Sequence, residues 1–95
     1  MLHKSVSETL DERQATYGSF PAQAAIAQQL KDVMHRTPGW PGLPTDRKEA
    51  LDMIVHKMAR VLNGGVEDVD HYHDIAGYAM LVERSILQQK PTKQP

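Results

Sequence analysis

The chain has 95 residues, with 11 Lys and Arg against 12 Asp and Glu for a net charge of −1, and it has no cysteine. The length suits a single domain with a modest core, the charge argues against a general nucleic-acid binder, and the missing thiol excludes disulfides, thiolate metal sites and a cysteine nucleophile. No apolar run approaches the ~20 residues of a membrane span, and the start MLHKSVSETLDER lacks the apolar centre of a secretory signal, so a soluble intracellular protein is expected.

In chain order, SVSE at Ser5 to Glu8 reads as a capping box and Gly18 as a stop, which predicts a first helix from about Val6 to Tyr17. Val6, Leu10, Arg13 and Tyr17 share one face of it. Pro21 suits a first helical position, and AQAAIAQQLKDVMHR then supplies strong helix formers with an apolar stripe at Ile26, Leu30, Val33 and Met34. The loop TPGWPGLPT carries three of the six prolines, so neither helix nor central strand passes through it. Trp40 and Leu43 are expected to fold back as a plug, the other reading being a lid over a site. Thr45 caps a third helix, DRKEALDMIVHKMARVLN, which Gly64 and Gly65 end and whose stripe is Leu51, Ile54, Val55, Met58 and Leu62. A fourth begins near Asp68 to Asp70 and ends before Pro91, with its stripe at Ile75, Tyr78, Ala79, Val82 and Ile86. No strand alternation appears. The expectation is one all-α domain over residues 1–90 and a flexible tail over 91–95, built as an antiparallel four-helix bundle or helical hairpins that a second subunit completes.

At about 100° per residue, Glu49, Asp52 and His56 line one flank of the third helix, and Asp70, Asp74 and Gly77 make a similar row on the fourth. If the rows face each other, up to four carboxylates converge, an oxygen-ligand set of the kind that Mg²⁺ or Mn²⁺ shares with triphosphates. The plainer account is that Glu49 and Asp70 favour the positive ends of helix dipoles and that Asp52 and His56 form an i, i+4 pair. Gly77 costs about 1 kcal/mol relative to alanine inside a helix, so it marks either close helix packing or space for a ligand above Asp74. His71 and His73 point in different directions from one helix, so a zinc or iron site would need His56 to join one of them from the opposing helix.

The stretches ERQATYGSF, RKEALDMIVHKMARVLNG and DHYHDIAGYAMLVE resemble small phage and prophage proteins grouped with the MazG-like, all-α nucleoside triphosphate pyrophosphohydrolases. The similarity covers roughly Glu12 to Glu83. It implies paired helices carrying an ExxE motif and then an ExxD motif, with Mg²⁺ (Mn²⁺ as the alternative) held by the acids. The first motif reads Glu49 to Asp52; the second reads His71 to Asp74, with histidine in place of glutamate and Asp70 as its substitute. The resemblance then implies Mg²⁺ on Glu49, Asp52, Asp70 and Asp74, Glu49 as the catalytic residue that positions water, and cleavage of a nucleoside triphosphate to monophosphate and pyrophosphate. Lys57, Arg60 and Arg13 become phosphate contacts, Tyr17, Trp40 and Tyr78 candidates for stacking on the base, and Glu12, His56 and His71 accessory groups. A homodimer or homotetramer in the cytoplasm of a bacterial host is implied as well. The competing reading keeps the fold without the chemistry: a helical interaction protein that binds a host protein through PGWPGLP.

Overall fold

The computed structural model describes residues 4–64 and 68–89, with Thr16 and Tyr17 described by backbone alone. The expected stop at Gly65 and the tail 91–95 lie outside the described residues. The fold is all-α: α1 runs Val6–Tyr17, α2 Phe20–His35, α3 Thr45–Leu62 and α4 Val69–Gln89, with no strand among the described residues.

Local chemistry sets the boundaries. Ser5 accepts from the Glu8 amide at 3.0 Å and starts α1, and Ser19 accepts from the Ala22 amide at 3.2 Å and starts α2 one residue ahead of Pro21. Thr45 is not the cap of α3 but lies inside its first turn. Pro44 takes the cap position in extended geometry, offering only its carbonyl to the amides of Arg47 and Lys48. At the head of α4, the Asp68 carboxylate accepts from the Asp70 amide at 2.9 Å.

α3 is the central element, packed against α4 on one side and α2 on the other, while α1 makes only slight contact. Both pairs are antiparallel. Arg47 at the start of α3 donates to Ser85 and Gln89 at the end of α4, and Lys57 near the end of α3 meets Asp74 near the start of α4. Likewise His35 meets Asp52, and Asn63 donates to the Ser19 carbonyl at 2.9 Å. The result is two hairpins sharing one helix.

Being flanked twice changes which side of α3 is buried. Ala50, Val55 and Ala59 are buried together with Arg47, whereas the expected stripe members Leu51, Met58 and Leu62 remain 37, 40 and 63% exposed. Small side chains let two neighbouring helices approach one axis, and the larger ones are displaced to the edges. On α2, Val33 is 67% exposed although it sits in the expected stripe. The radius of gyration is 17.2 Å and the longest extent 60 Å, whereas a compact chain of this length has a radius of about 12 Å.

Candidate functional site

The antiparallel pairing decides where the acids go. Glu49 and Asp52 occupy the first half of α3, Asp70 and Asp74 the first half of α4, and antiparallel neighbours carry their first halves at opposite ends. Asp74 lies level with Lys57, eight residues beyond Glu49, which is roughly 12 Å along the axis. Each acid also has its own surroundings. Asp52 Oδ1 lies 2.7 Å from His35 Nε2 on α2, and Asp74 Oδ2 lies 2.9 Å from Lys57 Nζ. That hydrogen bond, with the ammonium charge behind it, holds the Asp74 carboxyl below its ordinary 3.8. Glu49 borders a shallow hollow with Asp46, Tyr78 and Leu81, and Asp70 is exposed in the first turn of α4.

The four acids therefore do not converge within this chain. No group of three or more His, Asp or Glu among the described residues is placed to hold a metal ion, so the expected ligand set for Mg²⁺ or Mn²⁺ is not assembled within this chain. Lys57, expected on phosphate, is occupied by Asp74.

The cations do gather. Glu49, His56 and Arg60 fall within about 40° of one another around α3, and at the end of that line opens a cleft of about 430 Å³ between α1, the turn into α2, and α3. It is lined by Arg13 and Gln14 of α1, Gly18, Phe20 and Gln23 at the turn, and His56 and Arg60 of α3, with Leu10 at its rim. No carboxylate is among these lining residues. Arg60 Nε is buried and has no hydrogen-bond partner among the described residues, an expensive state for a donor of a charged group. Burial together with the charges of Arg60, Lys31 and Lys57 pushes His56 below its ordinary 6.5.

The depressed His56 fixes the sign of one pH effect. The unfolded chain takes up this proton before the folded one does, so the contribution of a neutral His56 to stability is present above 6.5 and is lost as pH falls from there toward the lowered folded value. Urea midpoints should thus decline on acidification through that window, and His56→Gln should flatten the decline; an equally steep profile in the variant would refute the assignment.

Gly18 makes the cleft's corner possible. Its φ of +79° and ψ of −176° suit glycine alone, and a Cβ there would lie 2.5 Å from the Asn63 carbonyl oxygen. α1 is thereby brought against the end of α3.

The remaining candidates are dispersed. Trp40 stacks on His35 with ring centroids 4.3 Å apart and lines a hollow with Met34, Leu43 and Leu51, so the loop is a plug at the opposite end of α2 from the cleft. Tyr78 borders Glu49. Glu12 is exposed and pairs with Lys4 at 2.6 Å. His71 is buried beside Asp68, its Nε2 3.7 Å from that carboxylate, and is part of the α3–α4 packing. The side chain of Tyr17 lies outside what is described. A Cβ added at Gly77 would have nothing within 4 Å of it, so close packing inside this chain does not explain the glycine.

Sequence reasoning missed His35 as the partner of Asp52, and Gln14, Phe20 and Gln23 as cleft lining. The signal available was the short GSF turn between two capped helices, which forces the end of α1 and the start of α2 together.

A family model described as a domain of unknown function, DUF6378, matches residues 1–86. No curated protein and no solved structure matches the chain.

Proposed function

The chain belongs to the DUF6378 family, and we propose that it grips the polyphosphate of a nucleoside triphosphate in the cleft between α1, α2 and α3, as the phosphate-binding part of a MazG-like nucleotide pyrophosphohydrolase. The observation that carries this reading is the cleft itself: among the described residues Arg13, His56 and Arg60 converge with no lining carboxylate, and the buried Arg60 Nε has no partner. Guanidinium groups present paired donors that match phosphate oxygens, and such charge-assisted bonds are about twice as strong as neutral ones. Gln14 and Gln23 add neutral donors. Glu49 and Asp52 lie one to three turns back along α3 from this cleft.

Mg²⁺ or Mn²⁺ would neutralise developing phosphate charge in a hydrolytic step. The carboxylates of one protomer are not grouped for it among the described residues, so phosphate binding is the part of this reading that the geometry supports. A homodimer or homotetramer belongs to the same proposal, supported by the large apolar side chains left on the outside of α1, α2 and α4.

The test is titration of a panel of nucleoside triphosphates by calorimetry, in chelator and then with Mg²⁺ or Mn²⁺, alongside pyrophosphate release. Binding in chelator that is weakened by Arg13→Gln is expected. Metal-dependent release abolished by Asp52→Asn would add the hydrolase activity, and failure of every nucleotide to bind a well-folded protein would sink the proposal. In that event the second reading gains: a catalytically inactive phage or prophage interaction protein that binds a host protein. The neutralisation of Asp74 by Lys57 and the hold of His35 on Asp52 favour it.

A further inference from the structure

Beside its contact with α3, α4 carries a flank from which Asp74 reaches Lys57 and Leu81 borders the hollow at Glu49. Asp70, His73, Asp74, Gly77, Leu81 and Arg84 fall within about 100° on it, and a hollow of about 520 Å³ follows that face across Gly77. Met80 and Leu81 beside it are 51 and 58% exposed. At Gly77 a side chain would meet nothing within 4 Å, so the folding of this chain makes no use of a glycine that weakens its longest helix.

The charges on this face are arranged to suit a copy of itself. Its acids, Asp70 and Asp74, precede Gly77, and its cation, Arg84, follows Leu81. Two copies of α4 laid antiparallel, with the two-fold axis midway between Gly77 and Leu81, set Leu81 of each over Gly77 of the other. The same register sets Arg84 of each opposite the half-exposed Asp74 of the other, whose Oδ2 already holds Lys57 of its own α3. A two-fold interface repeats every contact twice, so one chain supplies both halves of a matched surface. A parallel arrangement would instead place acid against acid and arginine against arginine.

We infer that α4 is the self-association surface of this protein, pairing antiparallel with α4 of a second copy through the Gly77 hollow, with Arg84 and Asp74 as its reciprocal ion pairs. The extended shape agrees: a radius of gyration of 17.2 Å is well above the ~12 Å of a compact chain, and a second copy laid along α4 would cover apolar surface that the protomer leaves open. The inference rests on the proposed self-association and is independent of nucleotide binding, because its readout is mass.

The experiment is light scattering on the full chain over a dilution series, with circular dichroism to verify helicity. Wild type should approach twice the 10.7 kDa chain mass. Asp74→Arg and Arg84→Asp should each dissociate to monomer, as should Gly77→Leu, which fills the hollow. An equimolar mixture of Asp74→Arg with Arg84→Asp should regain the dimer, since each pair again joins opposite signs. A monomeric wild type would overturn the inference, as would variants that remain dimeric. A mixture of the two charge reversals that stays monomeric would exclude this register.

Discussion

Arg60→Gln is expected to weaken nucleoside triphosphate binding by roughly 10- to 100-fold, with the helical content of the protein unchanged. A bond between charged partners contributes about 1.5–3 kcal/mol, and each 1.4 kcal/mol is tenfold in affinity. The informative part is the sign of the accompanying stability change. In the free protein Arg60 Nε is buried without a partner among the described residues, so its removal orphans none of them and relieves repulsion on His56. Affinity should therefore fall while the urea midpoint holds or rises. A structural role for Arg60 would move both downward together. Arg60→Lys should recover little of the affinity, because an ammonium lacks the planar pair of donors. Calorimetry and urea denaturation on the same three proteins decide the matter.

Gly18→Val should detach α1. The backbone at φ +79°, ψ −176° excludes a β-branched residue, and the added Cβ would press on the Asn63 carbonyl. Strain of this kind costs of order 1–3 kcal/mol before the steric clash is counted. α1 makes only slight contact with the rest of the chain, and Val6 and Leu10 on its apolar side are largely exposed, so little holds it in place against that cost. Amide protection should vanish from α1 and persist through α3 and α4, and triphosphate affinity should fall because Arg13 and Gln14 leave the cleft. An unaltered exchange pattern in α1 would contradict this account. Asn63→Ala, which removes the bond to the Ser19 carbonyl without adding strain, should give a weaker version of the same result.

Much of the fold was legible because its signals are local. The capping serine and the glycine stop delimit α1 at Val6 and Tyr17, as the sequence predicts, since a cap is a matter of a few neighbouring residues. The buried side of α3 was less legible. An apolar stripe assumes one neighbour, and α3 has two, so Ala50 and Ala59 are buried where Met58 and Leu62 were expected. The site divides in the same way. A helical wheel gives the direction in which Glu49 or Asp70 points and says nothing of its height. Height depends on the pairing of whole helices, and in an antiparallel pair that pairing separates the first halves of α3 and α4. The Lys57–Asp74 bond could not be read for the same reason: it joins residues 17 apart in sequence through a register that only packing defines. Arg13 and Arg60 were legible as candidate cationic contacts. Their meeting across the Gly18 turn was not.

The stack of Trp40 on His35, which in turn holds Asp52, gives the molecule a built-in optical reporter. Trp40 is the single tryptophan of the chain, and the ring beside it is bonded to the Asp52 carboxylate, so an ion recruiting that carboxylate would alter the charge next to the imidazole. Tryptophan emission responds to the charge and position of an adjacent imidazole. A fluorescence titration with Mg²⁺ or Mn²⁺ alone would therefore sense engagement of Asp52 in a protein with no substrate present, while occupancy of the distant cationic cleft would leave the emission unchanged.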